Sequence, residues 1–506
     1  MNADTKKIGI GVLVGAGSGD PKLITVAGAD WLKKADVVIY DRLANPALLN
    51  YAPKTAELIY VGKKPDCHTL KQEQINQLLV DKVQQGNVVV RLKGGDPLIF
   101  GRGAEEVSAL SQAGLDFRII PGISAAISVG AYAGIPMTDR EFASSFALVT
   151  GHEDPTKTES SVDFSALAKL DTVAFYMGVG NLPNIVAKLI EAGRNPETPA
   201  AIVQNATLPN QRTLVTTLNK IQQVADINSI KPPALIIIGN TCTRHDALSW
   251  FEKLPMFGQN ILVTRSRTQQ SKLADQLSEL GANAIQAPTI DIKPVENDHD
   301  ILQVLQSITE NLFDWIVFTS PNGVEHFCAQ CKKHKFDARL LAGVKIASVG
   351  AGTTAALDKH FITPDFMPAK FTTESLGNEL VHYEHMQGKK VLLVRSDIAP
   401  EVLPDILTKA GADVTDSTFY ITSRPESLPK QACEMLNQKR ADWITFTSSS
   451  TVENMLAIVG SYILQQSKLA SIGPVTSQAL TRAGLTPTVE ATVHTIAGLV
   501  DAIRNF

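Results

Sequence analysis

The chain has 506 residues, 44% hydrophobic and 19% charged, with a formal net charge of −4. At roughly 150 residues per domain that length implies about three or four packed cores, and the apolar content excludes wholesale disorder. The near-neutral charge excludes a global basic field for nucleic acid or an anionic membrane, so a polyanionic ligand has to be met by local cations.

Lys6 and Lys7 precede an apolar run from Ile8 to Gly17. The run is short and glycine-rich and lacks a small-x-small cleavage pattern. It reads as a strand entering a functional turn rather than a signal peptide. Ile8–Val14, Val37–Tyr40 and Val88–Leu92 have strand length, and between them Ile75, Leu78, Leu79 and Val83 share a helix face. This alternation predicts βαβ units and a parallel sheet buried on both faces, with ligands at the carboxyl ends of its strands. Pro121–Thr138 is uncharged but too short and too rich in Gly, Ala and Ser to span a bilayer, and it reads as a buried helix. No targeting or membrane segment is expected. IPMTDREF at 135–142 breaks the pattern, and a second α/β lobe follows with strands at Phe146–Thr150, Thr172–Met177, Ala200–Gln204 and Ala234–Gly239. Lys253–Gln259 reads as a linker.

The remainder contains an internal repeat. Ile261–Arg265 (ILVTR) matches Val391–Arg395 (VLLVR) at an offset of 130, DWIVFTS from Asp314 matches DWITFTS from Asp442 at 128, and KIASVG from Lys345 matches KLASIG from Lys468 at 123. A period that long indicates two similar α/β lobes rather than a solenoid. Five cysteines exclude a disulfide scaffold and suit a reducing cytoplasm. Cys328 and Cys331 form a CxxC flanked by His326 and His334, but on one helix these side chains spread over about 200° and cannot converge on an ion. No metal site is expected.

Two turns in the first half carry ligand chemistry. Gly15–Pro21 (GAGSGDP) fails the dinucleotide fingerprint, because its third glycine falls at 19 and Asp20 would oppose a pyrophosphate at the helix start. A cofactor without phosphate and with positive charge suits it better. The second turn, Lys93–Pro97 (KGGDP), leaves a strand. Its glycines let a ligand approach the backbone, and Asp96 can accept hydrogen bonds from a ribose or an amine. These turns, with YDR (40–42), VGK (61–63), RLKGGDPLIFGRG (91–103), PGISAA (121–126), GIP (134–136), TGH (150–152) and YMG (176–178), resemble the uroporphyrinogen-III C-methyltransferases of the tetrapyrrole methylase family over about residues 8–250.

The resemblance implies S-adenosylmethionine as methyl donor, with S-adenosylhomocysteine as product. It places cofactor contacts on Gly94, Gly95, Asp96, Ile99, Ser124, Ala125, Met177 and, where a glycine is usual, Ala206. Ser18 stands where the family has proline and is expected to loosen its loop. Proton-transfer roles fall on Asp41 as acceptor and Lys63 as donor. Each residue also has a plainer role: Asp41 capping a turn, Lys63 solvated, Asp96 ordering its turn, Met177 filling core, His152 satisfied in a turn. Arg102 either pairs with Glu105 or Glu106 or meets a carboxylate-rich substrate. Methyl transfer to neighbouring pyrrole rings of uroporphyrinogen III would give precorrin-2. The developing ring cation calls for a nearby carboxylate and the ring proton for a base, a pairing that suits Asp41.

The duplicated lobes, with SVGAGT (348–353) and LASIGPVTSQAL (469–480), resemble uroporphyrinogen-III synthase over roughly 259–506. That resemblance implies two flavodoxin-like lobes joined by a β connector, with crossings near Ile290–Lys293 and Phe419–Thr422 and Tyr420 on the connector. The synthase closes hydroxymethylbilane with inversion of one ring, a task of folding the substrate more than of strong acid or base. Ser320, Thr353, Thr447, Ser448, Ser471 and Thr476 are therefore expected to face a cleft from strand-end turns, where backbone NH groups hold carboxylates.

The expected organisation is an all-α/β chain. Residues 1–252 form the methylase (lobes about 8–136 and 143–251), 253–259 a linker, and 260–506 the synthase (one lobe about 260–291 with 421–506, the other about 294–418). The expected function is a bifunctional cytoplasmic enzyme of porphyrin biosynthesis, with the tetrapyrroles as its partners and a homodimer through the methylase half. No NAD-dependent oxidation module is expected before residue 8, so steps onward to sirohaem or cobalamin fall to other proteins. The alternatives are a C-terminal half that binds tetrapyrrole without catalysis, an N-terminal nicotinamide oxidoreductase, and a sister methylase acting on a later precorrin.

Overall fold

The computed structural model describes residues 9–62, 70–152, 161–265, 270–295 and 297–506. The chain divides into two compact units, 1–260 with 277–283 and 261–276 with 284–506.

The first unit holds ten strands: β1 (Ile10–Gly15), β2 (Val37–Tyr40), β3 (Glu57–Tyr60), β4 (Val88–Lys93), β5 (Asp116–Ile120), β6 (Phe146–Thr150), β7 (Thr172–Tyr176), β8 (Pro199–Gln204), β9 (Arg212–Thr217) and β10 (Ala234–Ile238). The first sheet, ordered β3-β2-β4-β1-β5, is wholly parallel. Its alternate residues feed two cores: Val12, Val14, Val38, Val90 and Leu92 on one face, Leu13, Val37, Ile39 and Val89 on the other. A strand buried on both sides has no polar face, which is why these segments read as unbroken apolar runs. The second sheet, β6-β7-β10-β8-β9, is mixed, with only β6 and β7 parallel. The uncharged segment around residue 130 forms the helix Ala125–Ala133. Its Ala126, Val129 and Ala133 pack with Ala174, Ala201 and Ile237 of the second sheet, so this helix joins the two lobes through a core of small residues.

The second unit is built on β11 (Asn260–Val263), β12 (Asn283–Gln286), β13 (Asp291–Pro294), β14 (Trp315–Phe318), β15 (Lys345–Ser348), β16 (Lys390–Ser396), β17 (Asp413–Ser423), β18 (Trp443–Phe446), β19 (Lys468–Ser471) and β20 (Val489–Glu490). One sheet runs β12-β11-β18-β19-β20, the flavodoxin-like order, and the other β13-β17-β16-β14-β15. The repeat maps β16 onto β11, β14 onto β18 and β15 onto β19, and these equivalents hold the same places in the two sheets. β17 is long enough to serve twice. Its first part pairs parallel with β16, and Tyr420–Ser423 pair antiparallel with Asp291–Pro294, forming the two-stranded connector.

The duplication extends to single interactions. Ser348 Oγ meets Thr354 Oγ1 at 2.8 Å, and Ser471 Oγ meets Ser477 Oγ at 2.6 Å. The Ile346 NH donates to Asp365 Oδ2 and the Leu469 NH to Thr488 Oγ1. Lys345 lies over the Trp315 ring as Lys468 lies over Trp443. Among the described residues no helix is long and apolar enough to cross a membrane.

Candidate functional site

At the carboxyl edge of the first sheet two glycine turns are locked together. The Gly95 NH donates to Gly17 O at 2.7 Å and the Gly17 NH to Gly95 O at 3.2 Å. Gly95 has φ +69°, a conformation that favours glycine. A Cβ built on it would meet Ala125 N, Ile123 O and Ser124 Cα at 3.7–4.0 Å, ordinary van der Waals contact, so PGISAA packs directly over this glycine. Asp96 ties the turn to PGISAA: Oδ1 accepts the Leu98 NH at 2.8 Å and Oδ2 the Gly122 NH at 3.0 Å. Both oxygens thus order backbone, each with a lone pair to spare.

A third strand end closes on the same place. Tyr176, last in β7, accepts the Ala126 NH at its hydroxyl (2.7 Å), and that hydroxyl also meets Ser124 Oγ at 2.9 Å. Burial pushes the Tyr176 phenol up from its usual range. Its ring lies 5.0 Å from that of Phe100. The next residue, Met177, is 54% exposed, so it does not fill core, and Ile99, Phe100 and Ile123 are exposed beside these turns. Phe100, Arg102, Met177, Asn205 and Thr207 all have positive φ. Such backbone, costly for residues with a side chain, gathers at ligand sites.

The first turn departs from expectation at Ser18. Ser18 does not loosen it: its hydroxyl meets that of Ser128 on the helix Ala125–Ala133, and its carbonyl accepts the Thr207 hydroxyl. Asp20 accepts the Lys22 NH at 2.8 Å and the Tyr132 hydroxyl at 2.7 Å. Ala206 lies against this turn, where a Cβ on Gly19 would come 2.7 Å from Ala206 O. Ser18 and Asp20 thus tie this turn to Ser128, Tyr132 and Thr207.

Asp41 leaves β2 at the same sheet edge. Its Oδ1 accepts the Leu43 NH at 3.0 Å and its Oδ2 accepts Arg91 Nη2 at 3.1 Å. Arg91 is buried and also donates through Nε to Glu106 Oε1 at 3.0 Å. Lys93 donates to the same oxygen at 2.9 Å. Burial, with the Arg91 charge beside it, pulls the Lys93 ammonium below its ordinary range, and Glu106 partly restores it. Sequence reasoning passed over Arg91, Lys93, Glu106 and Tyr176. The available signal was two cations inside the otherwise apolar strand VVVRLK. Arg102 pairs with Glu105 at the surface, both contacts at 2.7 Å. His152 accepts the Thr150 hydroxyl at its own carbonyl. Lys63 lies outside the described residues.

In the second unit Ser320 and Ser448 cap equivalent helices, accepting the NH of Gly323 and of Thr451. Ser320 Oγ also lies 2.9 Å from the Tyr420 hydroxyl, and the Tyr420 ring stacks on His326 at 5.4 Å. Tyr420 is buried, while Ser320, Thr447 and Ser448 are half-buried at their strand ends. Thr353 and Thr476, expected to face a cleft, are only 2% and 3% exposed, and Ser471 is fully buried. The Thr353 and Thr476 NH groups go to Gly350 O and Gly473 O in their first helical turns, so neither backbone NH is free for a ligand. The loop that follows each of these turns places one ring over its glycine, Phe371 over Gly350 and His494 over Gly473. The two positions are 123 apart, the offset of the repeat, so aligning the repeat further would have exposed this divergence. Cys328 and Cys331 ride the helix Pro321–Lys333 with thiols pushed up to about 11 and about 12 by burial. The described residues hold no group of three or more side chains able to bind a metal.

Residues 12–222 match the family model for tetrapyrrole (corrin/porphyrin) methylases, and residues 271–501 match that for uroporphyrinogen-III synthase HemD. The chain is 37% identical to the porphyrin biosynthesis protein HemD of Ruminiclostridium josui over 98% of its own length and 97% of the relative's. It is 39% identical to a uroporphyrinogen-III C-methyltransferase of Bacillus subtilis over 72% of this chain and 74% of that protein. A crystal structure of the uroporphyrin-III C-methyl transferase of Thermus thermophilus with S-adenyl homocysteine aligns at 38% identity and a TM-score of 0.41, covering 46% of this chain and 99% of that one. Two adjoining family matches and a relative alike from end to end make the chain a member of the porphyrin-biosynthesis family that joins a uroporphyrinogen-III C-methyltransferase to a uroporphyrinogen-III synthase.

Proposed function

We propose that the second unit closes hydroxymethylbilane to uroporphyrinogen III, and that the first transfers two methyl groups from S-adenosylmethionine to neighbouring pyrrole rings, giving precorrin-2. The observation that carries the methyl-transfer site is the meeting of Gly94–Asp96, Ser124–Ala125 and Tyr176–Met177 beside Asp41. The left-handed glycine turn at Gly95, exposed apolar side chains at Ile99, Phe100 and Met177, and spare acceptor capacity on Asp96 suit an uncharged adenosine. The donor supplies a methyl already activated by its sulphonium, so the protein's task is alignment. Asp41, half-shielded and paired on one oxygen only with Arg91, stabilises the positive charge that builds on the pyrrole and then accepts the ring proton.

In the second unit, hydroxyls and NH groups at the strand ends hold the substrate's carboxylates, with Ser320, Thr447, Ser448 and Tyr420 nearest this role. His494 and Phe371 make the two lobes chemically unlike at equivalent places, as a substrate with unlike ends requires. A homodimer through the methylase half is supported by exposed Ile127, Phe146 and Leu248 around a cavity of about 410 Å³. A solution mass near 54.5 kDa would refute it. Free thiols at Cys242, Cys328, Cys331 and Cys433 support a cytoplasmic location, which recovery of the activity from a secreted fraction would refute.

The test is the full chain incubated with hydroxymethylbilane and methyl-labelled S-adenosylmethionine, which should yield a doubly methylated type-III product. Asp41→Asn should slow methyl transfer about 100-fold, in the range of a lost general base, while adenosylhomocysteine still binds. Normal turnover in that variant would remove Asp41 from the mechanism.

A further inference from the structure

The charges described around Asp41 form a connected row. Asp41, Arg91, Glu106 and Lys93 are two anions and two cations joined in a row: Asp41 Oδ2 to Arg91 Nη2 at 3.1 Å, Arg91 Nε to Glu106 Oε1 at 3.0 Å, and Lys93 Nζ to that same oxygen at 2.9 Å. Gln72 Nε2 adds a third donor to Oε1 at 3.2 Å. Glu106 is 0% exposed, and its other oxygen, Oε2, is buried with no hydrogen-bond partner among the described residues. A buried carboxylate that crowds three donors onto one oxygen and leaves the other bare is poorly satisfied for a residue serving only as an anchor. Arg91 is fixed on every side, since its Nη1 donates to Leu92 O at 3.0 Å and lies 3.4 Å from Ile39 O. The guanidinium is a rigid plane, so the direction in which Nη2 reaches Asp41 is set by where Nε is held.

We propose that Glu106 is a positioning residue for methyl transfer: through Arg91 it orients the Asp41 carboxylate, and by taking part of the Arg91 charge it leaves that carboxylate less tightly paired. Without Glu106, Arg91 would have Asp41 as its one carboxylate partner among the described residues, and the buried Lys93 beside it would lose its ion pair. A base clamped by an unshared guanidinium gives up its capacity to take a proton. Glu106 lies on the helix Gly103–Gln112, at the end of the RLKGGDPLIFGRG stretch, so the segment that shapes the cofactor turn would also set the base.

The inference rests on Asp41 as the proton acceptor, and a double-mutant cycle in the full chain separates the two claims. Methyl transfer to uroporphyrinogen III is measured for D41N, E106Q and D41N/E106Q, with adenosylhomocysteine binding measured in parallel. E106Q should lower kcat roughly tenfold while the adenosylhomocysteine Kd stays within about twofold, and it should cost little further in the D41N background, as residues acting as a unit do. E106D keeps the charge but withdraws it by one methylene. It should fall between wild type and E106Q, and it carries the same cycle should E106Q fail to fold. Wild-type kcat in the Glu106 variants, a loss that follows weakened adenosylhomocysteine binding, or an equal loss with and without Asp41 would each overturn the proposal. Unimpaired turnover in D41N would instead overturn the assignment of Asp41, and this inference with it.

Discussion

Gly122 has no room for a side chain. A Cβ there would run into Gly95 O and come 2.7 Å from Gly15 Cα, and both obstacles are backbone. Gly122→Ala must therefore push apart the turns that frame the cofactor site, at a cost of about 3 kcal/mol, the upper range for overpacking. The expected outcome is a lower Tm for the methylase unit and lost adenosylhomocysteine binding, with ring closure of hydroxymethylbilane retained. A variant that still bound adenosylhomocysteine would place the ligand elsewhere. The glycines of GAGSGDP, KGGDP and PGIS were legible as a set because each removes a side chain where backbones meet. Which glycine touches which was not legible, since Gly15, Gly95 and Gly122 are distant in sequence and meet only when β1, β4 and β5 lie side by side.

Single elements divide into those whose sequence carries their environment and those whose environment is supplied from elsewhere. β4 belongs to the first kind: VVVRLK states both its burial and, in Arg91 and Lys93, a need for partners. The helix Ala125–Ala133 belongs to the second. Its first turn is held by a hydroxyl from β7, because Tyr176 takes the Ala126 NH that an N-cap side chain would ordinarily take. Tyr176→Phe leaves that NH without its acceptor. It should cost about 1–2 kcal/mol and weaken adenosylhomocysteine binding roughly tenfold, read by calorimetric titration. Unchanged affinity would show that the Ser124–Ala126 turn holds its shape without the phenol. The duplicated elements carry a similar lesson. Ser348 with Thr354, and Ser471 with Ser477, recur because both lobes need the same strand end closed, whereas Phe371 and His494 share a place and differ in chemistry. His494→Phe, which makes the lobes alike, should raise the fraction of type-I product formed from hydroxymethylbilane. An unchanged isomer ratio would reduce that difference to packing.

At the scale of the whole molecule, two units with separate cores make the two activities separable. Full-length D41N should still convert hydroxymethylbilane to uroporphyrinogen III and accumulate it unmethylated. Impaired ring closure in that variant would mean that the units depend on each other. The sequence by itself determined the α/β class, the duplication and the two families, because apolar period, turn chemistry and motif order are local and survive in one dimension. The resemblance to the synthase also placed the β connector, near Ile290–Lys293 and Phe419–Thr422, where Asp291–Pro294 and Tyr420–Ser423 pair. Only the tertiary structure decided that Thr353 and Thr476 turn inward, that Ser18 and Asp20 stitch the methylase lobes together, and that Glu106 stands behind Arg91. Those outcomes depend on which groups from remote segments arrive within hydrogen-bond distance. A buried charge or hydroxyl takes whatever partner the packed fold brings to it, and nothing in its near neighbours along the chain records which one that is.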